Sequence, residues 1–363
     1  GYGASSPITW GDKIFVAGYS GYGLGEEGAG DRAQLKRRIT CIDGTTGEIV
    51  WDTVVESKPG DSEYRGFVAL HGFASATPVT DGQRVYAYFG KTGAVAVDMQ
   101  GKLLWQADCG AKTHGFGTGA SPVLYGDLLI VNAGVESGKL IALDKATGQT
   151  VWQGGNINAA WNTPLVVQGD ARDELIVVMK NRLVAYDPKT GVDLWHCDGI
   201  QDYVCPSAVA HAGVVYAIGG RSHEGLAVKT GGSGDVTESH RLYQLKRGSN
   251  VSSPVYHQGR LYWAHEGSGI VYCANAETGE MLYEERLEPR PGRIYASPLA
   301  ADGKLYYVSR ESGAYVLQLG DEFKLLAHNK LASDDSVFNA SPVPLGDKLL
   351  LRSDKALYCI GQR

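Results

Sequence analysis

The chain has little methionine, 3 in 363 residues, and no apolar run near the roughly 18 residues that a membrane-crossing helix needs. It has no basic excess: 34 Lys and Arg stand against 40 Asp and Glu, a net charge of -6. A sequence-independent grip on nucleic-acid phosphates therefore lacks its attractive term, and nucleic acid is not an expected partner. The six cysteines, at 41, 109, 197, 205, 273 and 359, form no Cys-x-x-Cys zinc pattern. A Gly-x-Ser-x-Gly elbow, a His-Glu-x-x-His helix and a phosphate-loop lysine pattern are also missing, which removes the signatures of three hydrolase classes. No basic and then apolar leader follows Gly1, so an export signal is expected upstream of it.

Glycine and aromatics are abundant. The 49 glycines are about 13 percent of the chain, against a usual share of roughly 7 percent, and 20 Tyr and 7 Trp accompany them. With 43% hydrophobic and 20% charged residues, this is the composition of a globular, turn-rich, β-leaning chain. A repeat organises it. A small residue and a proline recur before an apolar stretch at Ser6-Pro7, Thr77-Pro78, Ser121-Pro122, Thr163-Pro164, Cys205-Pro206, Ser253-Pro254, Ser297-Pro298 and Ser341-Pro342, at intervals of 71, 44, 42, 42, 48, 44 and 44. Each unit reads as four short strands separated by Asp-Gly, Gly-Asp or Thr-Gly turns, which are hairpin signals. Eight such units predict an all-β chain, an eight-bladed β-propeller of four-stranded antiparallel blades with an architecture like that of WD40 propellers. The blades are expected near 4–57, 74–109, 118–155, 160–199, 203–247, 251–288, 294–331 and 338–363, as a single domain and a monomer.

The fourth strand of each unit carries an aromatic at Trp51, Trp105, Trp152, Trp195, Tyr243 and Tyr283, with Leu325 or Leu326 in the seventh. The eighth unit stops after three strands, near Tyr358-Cys359-Ile360. This predicts a truncated product with a three-stranded last blade, whose junction with the first blade is the least stable. Cys41, Cys273 and Cys359 share the third-strand position filled elsewhere by Ala142 and Ala185, and so read as small core residues. Cys197 and Cys205 flank one connection and are candidates for a bridge in an oxidising compartment.

The string from Leu140 to Trp152, repeated from Leu183 to Trp195, Thr40 to Trp51 and Tyr272 to Tyr283, resembles the pyrroloquinoline quinone (PQQ)-type repeat. That resemblance implies an eight-bladed propeller whose outer-strand tryptophans dock between blades. It covers nearly the whole chain. It is specific for fold but not for chemistry, because the same repeat serves quinoprotein dehydrogenases and cofactor-free, BamB-like assembly factors. It also implies an exported protein, periplasmic or associated with the outer membrane. A quinoprotein would need a Glu, Asn and Asp set around calcium, a Trp beneath the quinone and, typically, adjacent cysteines. No Cys-Cys pair exists here. Trp161 as the platform and Asp202, Asn162 and Asn250 as oxygen ligands are the candidates for PQQ with calcium.

The longer connections, 20–38, 56–73, 108–118, 288–293 and 332–337, fall on the face that holds the fourth-to-first and second-to-third turns. Only 229–240 departs, as a lengthened third-to-fourth turn. Insertions on one side of a repeat array are where binding usually sits. Near the mouth of the channel, this face is expected to present His71, Phe73, His114, Phe116, Trp161, Asn162, Tyr203, Asn250, Arg293, Tyr295 and Asn339. Aromatics with amides and arginine make a recognition surface, and the competing reading is that they cap and plug the channel. His71-Gly72-Phe73 and His114-Gly115-Phe116 repeat one tripeptide and are candidates for a metal pair or proton relay. Gly23-x-Gly25-x-x-Gly28 matches a dinucleotide fingerprint by letter, but its glutamates and hairpin setting argue against it. The expectation is a protein- or peptide-binding scaffold with no catalytic residue, metal or cofactor. The alternative is a quinoprotein-type dehydrogenase or other enzyme with its site in the central funnel.

Overall fold

A computed structural model describes residues 2–24 and 28–361, so the middle of the Gly23–Gly28 motif lies outside the described residues. The short apolar runs pair into eight antiparallel sheets, and the strand order is that of an eight-bladed β-propeller. The chain forms two compact units, 1–157 with the first three sheets and 158–363 with the other five. The eighth sheet has three strands, Val343–Leu345, Lys348–Arg352 and Leu357–Ile360. Among the described residues no helix is long and apolar enough to cross a membrane.

The period-2 pattern sets the core. In the second strand of blade 2, Arg84–Tyr88, Val85 and Ala87 join a cluster with Phe15, Ile39 and Cys41 of blade 1. Tyr86 and Tyr88 of the same strand join Leu129, Val131 and Leu143 of blade 3. This inner strand is thus apolar on both faces, and each buried large side chain contributes roughly 1.5–3 kcal/mol. Polar ties then fix the spacing of the blades. The Thr77 N–H donates to the Ser121 hydroxyl at 2.9 Å in the first unit. In the second unit Thr163, Ser207, Ser253 and Ser297 each donate to the hydroxyl of the next blade at 3.0–3.1 Å. The repeating element is therefore the hydroxyl residue, and in blade 5 it is Ser207, not Cys205. The Cys205-Pro206 pair lies two residues early, and Ala208 takes the position of the proline.

The aromatics dock as the repeat implies. The Trp51 indole N–H donates to the Met99 carbonyl at 3.0 Å, and that of Trp105 to the Lys145 carbonyl at 3.2 Å. Each ring covers a turn glycine of the next blade. A Cβ at Gly101 would come within 2.6 Å of Trp51, and one at Gly148 within 2.7 Å of Trp105. In blade 7 the register pairs Val316 with Ala327, so Ala327, not Leu325 or Leu326, occupies the aromatic position. Cys41 and Cys273 are buried, but Cys359 is exposed. Cys41 lies beneath a fourth strand, paired with Trp51, whereas Leu357–Ile360 has no strand outside it among the described residues. All six cysteines are free, Cys197 and Cys205 included.

The 229–240 insertion does more than lengthen a turn. Gly234–Asp235 pairs parallel with the fourth strand of blade 4, Asp193–Asp198, as a fifth strand. Val236 joins the core over Trp195, and the Trp195 indole N–H donates to buried Glu174 at 2.9 Å.

Candidate functional site

In both units the long connections, apart from 229–240, lie at the fourth-to-first and second-to-third ends of the sheets. In the first unit, a helical turn at Val68–His71 ends on Gly72 and sets the His71 ring. Its Nε2–H donates to the Phe116 carbonyl at 2.8 Å, and Nδ1 meets the Ser75 hydroxyl at 2.5 Å. Phe73 is buried against Tyr19 and under the Arg37 guanidinium. Arg37 pairs with Asp61 and donates to the Phe73 carbonyl at 2.6 Å. Burial lowers its pKa, although Asp61 opposes that shift. Glu136 lies below, and burial pushes its carboxyl up despite bonds from the Thr118 and Tyr88 hydroxyls. The cleft among these groups holds only about 30 Å³, room for a water molecule or two. His114 is exposed, with its Nδ1 accepting the Phe116 N–H at 3.1 Å, and Phe116 packs edge-on to half-exposed Phe67. His71 and His114 are thus not brought together as ligands: each ring serves the loop backbone.

In the second unit the predicted residues separate into three kinds. Asn162 is buried and structural: its amide donates to the Val178 and Val204 carbonyls, and its oxygen accepts the Val178 N–H. Trp161, Tyr203 and Asn250 form one surface chain. Trp161 packs edge-on to Tyr203 at 5.9 Å, and the Asn250 amide donates to the Tyr203 hydroxyl at 3.0 Å. Arg221 lies over the Tyr203 ring at 5.1 Å and donates to its hydroxyl at 3.2 Å. The third group gathers on buried Arg310, which covers the Tyr295 ring at 4.7 Å and donates to Asn339 at 2.8 Å. Arg293 contributes its backbone carbonyl to this group, and its side chain is exposed.

Beside Asn250 lies a cluster that the sequence does not single out. The Asn250 N–H donates to Glu266 Oε2 at 2.9 Å, and Glu266 Oε1 is 3.2 Å from His223 Nε2. The His223 and His265 rings stack at 4.2 Å. Among the described residues, His223, His265 and Glu266 are the group of His, Cys, Asp and Glu side chains arranged to hold a metal ion. Arg221, His223, His265, Glu266 and Arg310 carry no motif. They share the second-to-third turn at spacings near 44, a signal that is visible only once the strands are in register. Two of the three oxygen ligands considered for calcium have other partners in the structure. Asn162 is committed to backbone, and Asp202 accepts the N–H groups of Tyr203 and Arg221 at 2.8 and 3.1 Å.

With this geometry established, the comparisons place the chain. The family model described as outer membrane protein assembly factor BamB matches residues 11–217 and 180–321. The chain belongs to this family. BamB from Moraxella catarrhalis superposes with a TM-score of 0.68 at 16% identity, covering 97% of this chain and 92% of that one. Quinohemoprotein alcohol dehydrogenase from Comamonas testosteroni superposes with a TM-score of 0.67 at 11% identity, covering 96% and 70%. The computationally designed Ika8 protein gives 0.66 at 11% identity, covering 99% and 96%. These likenesses establish the shared propeller fold of the BamB family member and its neighbours. No curated protein matches the sequence.

Proposed function

We propose that this chain is a non-catalytic member of the BamB family that binds a protein or peptide through its long connections, without a bound quinone. The observation that carries this reading is the Trp161–Tyr203–Arg221 chain, with Tyr295 under Arg310 on the same type of connection two blades on. Half-exposed aromatics braced by arginines are the residue types that dominate protein interfaces. In the first unit, half-exposed Phe67 with Phe116 and His114 makes a second aromatic patch on the same type of connection. The commitment of Asn162 to backbone supports a cofactor-free reading, and the family name supports an exported protein at the outer membrane. A scaffold role as a monomer follows from the same reading.

The test is co-purification from envelope extracts with wild-type chain and with the Trp161→Ala/Tyr203→Ala/Tyr295→Ala variant. Loss of the specific partner band from the variant, with an unchanged melting profile, is the expected result. Equal recovery of every partner by both proteins would exclude this surface.

A further inference from the structure

The second-to-third turns of blades 5 and 6 bring two imidazoles and one carboxylate to the same place. We propose that His223, His265 and Glu266 bind a single divalent transition-metal ion of the zinc class, through one nitrogen of each imidazole and a Glu266 oxygen. This inference stands apart from the protein-binding reading and uses none of its surface aromatics.

The distances suit such an ion. One ligand atom from each of the three residues lies within 4.8 Å of the others. A tetrahedral ion about 2.0–2.2 Å from nitrogen and oxygen ligands needs them roughly 3.3–3.5 Å apart. His223 Nε2 and Glu266 Oε1 are at 3.2 Å, and His265 Nδ1 and Glu266 Oε2 at 3.7 Å, and the stacked rings, 28° apart in plane, must tilt to aim both nitrogens at one ion. The ligand chemistry selects the metal: imidazole suits zinc, cobalt, nickel and copper, whereas calcium and magnesium prefer all-oxygen sites. With three protein ligands and rings that are 29% and 24% exposed, a fourth position is open to solvent, as in reactive rather than closed structural sites.

The surroundings prepare these ligands. Burial disfavours the charged form of His265, with Glu266 opposing that shift. Burial raises the Glu266 carboxyl, but the Asn250 N–H and the His223 ring outweigh this and keep it ionised below its ordinary value. Asn250 and Ser249 thus act as the second layer that orients a ligating carboxylate. Asn250 also carries a buried amide oxygen with no hydrogen-bond partner. An ion-bound water is a donor, and this acceptor belongs to the residue already bonded to Glu266. The turn holds His223 at φ +52°, a left-handed conformation sparsely used outside glycine and asparagine. The backbone of Gly248 packs on that turn so closely that a Cβ there would come 2.5 Å from the Glu224 carbonyl. One competing interaction sets the strength. The Gly267 and Ser268 N–H groups bond to His265 Nδ1 at 3.1 and 3.2 Å, and the ion must displace them to take that lone pair. Micromolar rather than nanomolar affinity follows.

The experiment is calorimetric titration of the metal-stripped full chain with zinc chloride, repeated with cobalt(II) read by visible absorption. The expected result is one equivalent bound with micromolar Kd, and a cobalt spectrum of four-coordinate type. His223→Ala and Glu266→Gln should each weaken binding at least about tenfold, while His257→Ala, at the end of the strand Val255–His257 and outside the cluster, leaves it unchanged. Glu266→Gln conserves shape but exchanges one accepting oxygen for an amide donor, so its melting profile is recorded beside the titration to show that the variant is folded. Absence of saturable binding, or full zinc affinity in the folded Glu266→Gln and His223→Ala/His265→Ala variants, would overturn the site.

Discussion

Two pairs of histidines lie one blade apart in this molecule, and they have opposite chemical fates. His71 and His114 are 43 residues apart in the first unit, and His223 and His265 are 42 apart in the second. The first pair is used up locally: His71 bridges Ser75 and the Phe116 carbonyl, and His114 accepts the Phe116 N–H. In the second pair the rings stack and His223 meets the Glu266 carboxylate, while His265 Nδ1 accepts the Gly267 and Ser268 N–H groups and lies 3.7 Å from the same carboxylate. The repeat sets the spacing, but the neighbouring groups decide the chemistry. Where only loop backbone and a hydroxyl lie within reach, the imidazole is a strut, and where a carboxylate is added, it becomes a potential ligand.

The largest expected effect that separates the pairs is metal binding. The His223→Ala/His265→Ala variant should lose zinc entirely in the titration, whereas His71→Ala should keep it. Stability should respond in the reverse sense. His71→Ala strips two partners from half-buried groups and should cost about 1–3 kcal/mol in urea unfolding. In metal-free protein, His223→Ala should cost less than about 1 kcal/mol, because its ring is partly solvated. Equal losses would erase the distinction between strut and ligand.

A subtler contrast lies in the two buried glutamates. Glu136 has its carboxyl pushed up by burial, so its stabilising contribution is present below the ordinary value of 4.5 and is lost as pH rises through its higher folded value. Glu266 is held low by Asn250 and His223, so its contribution is present above 4.5 and is lost as pH falls through its lower folded value. Melting curves between about pH 4 and pH 8 should therefore show Glu136→Gln gaining relative to wild type toward neutral pH and Glu266→Gln losing. The smallest effect is expected for Gly248→Ala, which crowds the His223 and Glu224 backbone without touching a ligating atom. It should lower zinc affinity by about tenfold or less in the same titration.

The regularity of the propeller was legible because it is written in residues with few alternatives. Glycines at left-handed turns and hydroxyl residues at fixed intervals announce the blades directly. What escaped is what register alone reveals. Cys205-Pro206 looks like its counterparts by letter, yet Ser207 makes the interblade bond. Ala327 occupies an aromatic position that no composition rule marks. Cys359 matches Cys41 in pattern but lacks a covering strand. The fifth strand at Gly234–Asp235 arises from a glycine-rich insertion that reads as loop. For the site, aromatic and amide residues flanking the first strands were visible, but their roles were not. Asn162 and Asn250 are the same residue type before a first strand, but Asn162 stands one residue ahead of its hydroxyl residue and is buried on backbone carbonyls, while Asn250 stands three ahead and bonds to Tyr203. The histidine cluster was hidden because its members sit on separate turns, each unremarkable alone.

The central claim is that the long connections, not the outer edges of the blades, meet a partner. The outer strands make a demanding control, since Leu104, Val151 and Leu242 are themselves exposed apolar residues. The direct measurement is photo-crosslinking in cells with a benzophenone amino acid at Tyr203 or Tyr295, compared with Leu104 or Val151. Discrete protein adducts from the first two positions and none from the others are predicted. Adducts confined to Leu104 and Val151 would contradict the account.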